Sequence, residues 1–321
     1  MKAFAIHING NIALVDIPQP EVGVNDLLVK VMAIGVGIHD GYFFPPNARF
    51  PYTIGIEAAG VVEKVGRAVS NYKLGERITF VNAMQPKGGT WAEYTVVPDG
   101  ALILRIPESM PFEKAAAVPV AGNTALKAFR TLNLKPGNSL FIAGGSGAIG
   151  TLAIQIAVAR GYRVAASASA KNHQYMRSLG AEKVVDYHDN DWQEQITEWY
   201  PGGVDAAIAT QPGTASDSQA VVKDGGEIVA VSGDQFAPER GIILKQIPYT
   251  ADVTDELSDL LKQIASGKFQ LTVENIYPFL EGMDALAKVG TRHTRGKLVL
   301  TTKLDERSSE ARDVARLSPS Q

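Results

Sequence analysis

The stretch "IAGGSGAIGTLAIQIAVARG", residues 142–161, sets four glycines within seven positions and runs straight into an apolar, alanine-rich segment. Glycine permits positive φ and lets another molecule approach the backbone, so glycines clustered before a helix suggest a phosphate-binding turn. Gly145, Gly147 and Gly150 fit G-x-G-x-x-G. That pattern is common, and its flanks must decide. Before it, "NSLFIA" (138–143) reads as a short buried strand; after it, apolar residues follow at helical spacing and close on Gly161; then "YRVAAS" (162–167) reads as a second buried strand. The result is a strand, glycine turn, helix and strand of roughly the thirty residues that a dinucleotide grip occupies. In such a unit the first two glycines permit the turn and the approach of a pyrophosphate, and the third packs helix on strand. The open N–H groups of the helix start face the phosphates. Gly145, Ser146, Gly147, Ala148, Ile149 and Gly150 are therefore the candidate phosphate contacts. The alternative reading is a tight turn that holds no ligand.

Which dinucleotide is bound is read at the end of the second strand, where an Asp or Glu would bind the ribose hydroxyls of NAD and repel a 2′-phosphate. "AASASAKNHQY" has no acid there; it offers Ser167 and Ser169 as hydroxyl donors and Lys171 as a cation. This favours NADP(H), the alternative being that Lys171 is a solvated lysine at a helix start.

At 321 residues, two domains are expected. With 45% hydrophobic and 20% charged residues, the composition is that of an ordinary globular protein. A net charge of -3 and no basic run argue against nucleic acid or an anionic membrane as partner. The chain has no cysteine, which removes disulfides, thiolate metal sites and a cysteine nucleophile. No stretch reads as a leader or membrane span, so a cytoplasmic location is the default expectation. Residues 1 to about 115 carry short β-branched runs broken by Gly, Pro and Asn, such as "LLVKVMAIGV" and "GVVEKVG", as in an antiparallel β domain. From about 120 to 250, "SLFIAG", "YRVAAS", "KVVDY", "DAAIAT" and "GEIVAVSG" alternate with helical segments, as a doubly wound parallel sheet requires. An amphipathic helix, "DELSDLLKQIASGKF", then precedes "HTRGKLVLTT", a strand expected to return to the first domain. The resulting expectation is a catalytic domain over 1–118, completed by 254–303, a nucleotide-binding domain over 119–253, and a polar, disordered tail over 304–321.

This order resembles the medium-chain dehydrogenase/reductase superfamily. "PYTIGIEAAGVVEKVG" (51–66) matches its Gly-x-Glu-x-x-Gly stretch and "YKLGERITF" its "GDRV" strand, while "GGTWAEYTVVP" and "AAAVPVAGNTALKAF" lie where that family places them. The resemblance covers residues 1–302 and implies an α/β protein: a Rossmann-type parallel sheet beside a GroES-like, mainly antiparallel β domain. Zinc-dependent members hold their catalytic ion by a Cys after "GV" and by the His of Gly-His-Glu. Here those positions are Gly37 and Ile56, neither of which offers a lone pair to a metal, and His39 alone is a poor surrogate. No metal is expected. What remains is similar to the zinc-free NADPH:quinone oxidoreductases of the ζ-crystallin type, in which hydride passes to an already electrophilic acceptor.

The resemblance also suggests particular residues. Quinone reductases of this kind present Asn, Asp and Tyr after the third strand; here the Asn position is Gly37, and Asp40 and Tyr42 remain. Tyr42 is the candidate to orient or protonate an acceptor oxygen, with Asp40 as its weaker partner; the alternative is a packing tyrosine and a turn-forming aspartate. Thr124 matches a threonine beside the nicotinamide, or caps a helix. Tyr187 matches a tyrosine near the adenosine phosphate beside Lys171. Ser232, Gly233 and, less strongly, Thr210 stand at strand ends where the nicotinamide half passes. Arg295 in "TRGK" reaches the cofactor from the return segment or is solvated. Tyr42, Phe43, Phe44 and Phe50 could stack on a flat ring or pack the first domain. The expected function is thus an NADPH-dependent, zinc-independent reductase of a small-molecule quinone or similar electron-poor carbonyl compound, working as a homodimer. The competing readings are reduction of an enone or alkenal double bond, and a non-catalytic NADPH-binding sensor.

Overall fold

A computed structural model describes residues 1–302; the tail expected over 304–321 lies outside the described residues. The described residues divide into two compact units, one formed by residues 1–117, 275–292 and 298–302, the other by 118–274 and 293–297.

The first unit is built on the strand Asp26–Val36. Its run "DLLVKVMAIGV" is almost wholly apolar, because the strand is paired along both edges and buried on both faces. Glu57–Val65 pairs with it antiparallel, as do Tyr94–Pro98 at its start and Lys297–Thr301 at its end. A smaller antiparallel sheet joins Ile12–Asp16, Lys2–Ile6 and Tyr52–Thr53 in that order. The core of this unit includes Phe4, which meets Trp91 and Phe279 edge to face at ring separations of 5.7 and 5.3 Å.

The second unit carries six parallel strands: Ser139–Ala143, Arg163–Ser167, Lys183–Val185, Val204–Ala209, Val222–Ala230 and Ile243–Gln246. Numbered along the chain, their order in the sheet is third, second, first, fourth, fifth, sixth. This is the Rossmann arrangement, whose strand order reverses between the first and fourth strands and opens a crevice at their carboxyl ends. Five of the six strands were expected from the sequence. The sixth escapes a reading of apolar runs because this edge strand of four residues is mostly uncovered; an ion pair of 2.7 Å from Lys245 Nζ to Glu227 Oε1 fastens it to its neighbour.

One expected boundary is corrected. The helix Thr254–Ala265 belongs to the nucleotide unit, and the first unit resumes at 275 rather than 254. The reason is packing: Leu257, Leu260, Leu261 and Ile264 form one buried face, and Leu257 and Leu260 press against Gly122 in the helix Pro119–Thr131. Among the described residues no helix is long and apolar enough to cross a membrane.

Candidate functional site

In the second unit, the first strand, Ser139–Ala143, is buried throughout and delivers the chain to the crevice. Gly144 then takes φ +81°, a left-handed conformation costly for any residue with a Cβ, and turns the chain toward the helix Ala148–Ala159. The left-handed residue is therefore the glycine before the fingerprint. The N–H groups of Gly144 and Gly145 both donate to the Ser167 carbonyl, at 3.1 and 2.9 Å, so the turn is pinned to the end of the second strand. Gly150 is where the turn and helix close: a Cβ there would lie 2.3 Å from the Gly144 oxygen. A Cβ on Gly145 would meet Ala166 and Met176 at 2.8 Å, whereas one on Gly147 would meet nothing nearer than 3.6 Å. The turn is thus packed on one side and open at Gly147. The N–H groups of Ala148, Ile149 and Gly150, at the first turn of the helix, precede the first carbonyl-paired donor, Thr151, and form its positive end. These features fit a pyrophosphate.

The return segment is tied to this turn. The Gly296 N–H donates to the Ser146 carbonyl at 2.8 Å, Asn172 Nδ2 donates to Ser146 Oγ at 3.2 Å, and Arg295 Nε donates to Asn172 Oδ1 at 2.9 Å. The Arg295 guanidinium also lies over the Tyr175 ring at 5.5 Å, and the Tyr175 hydroxyl bonds Thr151 Oγ1 at 3.0 Å. Arg295 is therefore anchored within the unit and not simply solvated. Asn172 and Tyr175 were not singled out from the sequence, because nothing local reveals that a segment more than a hundred residues away returns to them.

At the adenosine end, Ser169 and Lys171 follow the second strand and Tyr187 follows the third; Ser169 Oγ is 3.5 Å from Tyr187 Oη. Lys171 is exposed and makes no hydrogen bond or ion pair among the described residues. Ser167, nearly buried, serves the turn through its carbonyl. One acid does lie close. Asp186 accepts from the Ala170 N–H at 2.7 Å through Oδ2, and its Oδ1 is 2.6 Å from His188 Nδ1. Partial burial works to raise the pKa of Asp186, but the His188 and Ala170 N–H groups and the His188 ring hold its carboxyl below the ordinary value.

On the other side of the crevice, Thr210 Oγ1 donates to the Ala143 carbonyl at 2.8 Å, which makes it a brace of the first and fourth strands. Ser232 Oγ donates to Asp234 at 3.0 Å and precedes Gly233, in the turn after the fifth strand. Thr124 lies inside the helix Pro119–Thr131, so it does not cap it; its neighbour Asn123 has a buried side-chain oxygen with no hydrogen-bond partner among the described residues.

In the first unit, Asp40 is 1% exposed. Its Oδ2 accepts from the Gly37 N–H at 2.8 Å and from the Trp91 indole at 3.1 Å. Its carboxylate thus positions the loop and fixes it to the core. Tyr42 is 58% exposed, and its ring meets that of His39 edge to face at 5.4 Å; Phe43 also borders His39. Phe44 instead packs against Tyr52 and the core, while Phe50, which meets Phe44 edge to face, stays 39% exposed, so Phe44 is a packing residue and Phe50 remains presented with Tyr42 and Phe43. Among the described residues no group of three or more His, Cys, Asp or Glu side chains is placed to hold a metal ion.

A Rossmann sheet with an open glycine turn in one unit and an antiparallel β domain in the other is an architecture found among nicotinamide-dependent oxidoreductases. Family comparison agrees: residues 23–108 match the alcohol dehydrogenase GroES-like domain and residues 179–300 the zinc-binding dehydrogenase domain. The NADPH-dependent alkenal/one oxidoreductase of Arabidopsis thaliana chloroplasts is 31% identical over 319 residues, covering 94% of this chain and 79% of the relative. The quinone oxidoreductase of Coxiella burnetii superposes with a TM-score of 0.83 at 27% identity, covering 94% of this chain and 99% of that one. A mycobacterial structure complexed with NADPH superposes with a TM-score of 0.82 at 27% identity, covering 94% and 100%. The chain belongs to the medium-chain dehydrogenase/reductase superfamily, in its zinc-free quinone-oxidoreductase-like branch, and is an oxidoreductase.

Proposed function

We propose that the protein transfers hydride from NADPH to a quinone or a similar electron-poor carbonyl compound without a metal. The observation that carries the cofactor reading is the adenosine end of the crevice: Lys171 is uncommitted, no acid follows the second strand, and both oxygens of the nearby Asp186 are engaged by its own loops. When bound, the cofactor supplies the hydride. The chain holds the pyrophosphate at the Gly144–Gly150 turn and the helix start. Tyr42 donates a hydrogen bond to the acceptor oxygen, and Asp40 positions it by fixing the loop. Gly37 and Ile56 at the zinc-ligand positions mean that the acceptor must itself be electrophilic. The Arabidopsis relative's named activity on alkenals and enones supports a second reading, reduction of a conjugated double bond. The proposal includes a cytoplasmic location and a homodimer, which fractionation and light scattering would check.

The test is to follow oxidation of NADPH and NADH in parallel with one simple quinone and one enone, with and without a chelator. Turnover with NADPH, faster with the quinone and indifferent to the chelator, is expected; faster turnover with the enone would select the second reading, and binding without turnover of either acceptor would sink both. Lys171→Ala is expected to weaken NADPH binding about tenfold while changing NADH less than about twofold, measured by equilibrium titration. Tyr42→Phe is expected to lower kcat about a hundredfold without moving Tm, because the exposed phenol contributes chemistry and little packing.

A further inference from the structure

A run of hydrogen bonds with a single direction ends on the glycine turn, and it lies wholly within the nucleotide unit. Arg295 Nε donates to Asn172 Oδ1 at 2.9 Å, and Asn172 Nδ2 donates to Ser146 Oγ at 3.2 Å. A guanidinium can only donate, so it fixes which end of the amide carries the oxygen and turns the Nδ2 hydrogens toward Ser146. A hydroxyl that accepts at its oxygen keeps its own hydrogen to give away. Among the described residues the Ser146 hydroxyl donates to nothing, and Ser146 is partly exposed in the middle of the turn. Asn172 forgoes another role to serve here. It stands at the N-cap of the helix His173–Ser178, where an asparagine side chain commonly accepts from a first-turn N–H, yet it makes no capping bond and is 6% exposed. Arg295 is partly buried and makes no ion pair among the described residues, so its charge is left to polarise the amide it binds. A partly buried cation with no carboxylate, at the head of donors that end on an open hydroxyl, fits an anion supplied by a ligand.

We propose that Asn172 is a positioning residue for the dinucleotide pyrophosphate: held by Arg295, it commits the Ser146 oxygen to accept and so presents the Ser146 hydrogen to a phosphate oxygen. The inference rests on the reading that places the pyrophosphate at the Gly144–Gly150 turn, and it is independent of the choice between NADPH and NADH. Both dinucleotides carry the pyrophosphate, so these donors serve them equally, whereas Lys171 serves only the 2′-phosphate. Two neighbouring ties, from the Gly296 N–H to the Ser146 carbonyl and between Tyr175 Oη and Thr151 Oγ1, do not involve the Ser146 hydroxyl and remain when Asn172 is replaced.

The test titrates the full-length protein with NADPH and with NADH by cofactor fluorescence, in a double-mutant cycle over Ser146→Ala and Asn172→Ala. Ser146→Ala is expected to weaken both dinucleotides about tenfold, the loss of one hydrogen bond to a charged group. Asn172→Ala should weaken both about fivefold when Ser146 is present and less than about twofold in Ser146→Ala, while the ratio of the NADH Kd to the NADPH Kd stays within about twofold throughout. A residue that only held the turn in shape would cost the same in both backgrounds. Arg295→Met approaches from the other end and carries the test if Asn172→Ala does not fold: its loss should be at least about threefold greater with the Ser146 hydroxyl than without it. Equal losses in the two backgrounds, unchanged binding in Ser146→Ala, or a loss confined to NADPH overturns the inference and leaves the cofactor reading standing. Binding of neither dinucleotide to the unmodified protein overturns the cofactor reading and the inference with it.

Discussion

Gly150→Ala is expected to reduce dinucleotide affinity at least tenfold and to destabilise the protein by about 3 kcal/mol. The added methyl would sit 2.3 Å from the Gly144 carbonyl oxygen and 2.6 Å from the Gly145 Cα. Both are backbone atoms of the turn proposed to meet the phosphates, so no side chain can swing away to make room. The turn must move. Moving it lengthens the hydrogen bonds from the Gly144 and Gly145 N–H groups to the Ser167 carbonyl, which set the position of the turn. Thermal unfolding with and without NADPH measures both parts: the apo Tm should drop, and the rise in Tm on adding NADPH should shrink. Gly147→Ala is the control, since its Cβ would meet nothing nearer than 3.6 Å. An unfolding profile for Gly150→Ala like that of Gly147→Ala would contradict the role assigned to the third glycine.

Trp91→Ala should cost about 3–5 kcal/mol and abolish most activity even under conditions where the protein stays folded. Trp91 is fully buried, meets Phe4 edge to face, and donates its indole N–H to Asp40. Removing it leaves a cavity in the first unit and takes the indole donor from a buried carboxylate, whose desolvation is then less well offset. The consequence reaches the loop that carries Tyr42, because Asp40 also holds the Gly37 N–H. Urea unfolding would give the stability change, and kcat at a temperature well below the midpoint would give the effect on activity. Comparison with Tyr42→Phe separates support from chemistry: Trp91→Ala should lower both Tm and kcat, Tyr42→Phe only kcat. Full activity in folded Trp91→Ala would show that the position of this loop does not matter to the reaction.

Local backbone geometry at the candidate site was legible in the residues. The glycine turn could be found because strand, glycines and helix are contiguous, and its third glycine does close turn on helix. The exposure of Lys171 after the second strand, and the lack of an acid there, are local features of the same kind, on which the proposed NADPH preference rests. Other assignments changed meaning once the neighbours were known. Asp40, read as a partner of Tyr42, proves to be a buried acceptor for Gly37 and Trp91. Thr210 braces two strands, and Phe44 packs into the core while Tyr42 and Phe43 remain presented.

The sequence by itself determined the alternation of strand and helix, the class of fold, the glycine turn between strand and helix, and the residues Gly37 and Ile56 where zinc-dependent relatives carry ligands, because each depends on residue types at fixed short spacing. Tertiary structure alone decided what is joined over long separations. It placed the helix Thr254–Ala265 with the nucleotide unit, added the short sixth strand, returned Arg295 to Asn172 and set His188 against Asp186 beside Tyr187. The physical reason is that periodicity records which face of an element is apolar, whereas the partner of a buried or charged group is fixed by packing and hydrogen bonding between segments that need not be neighbours in the chain.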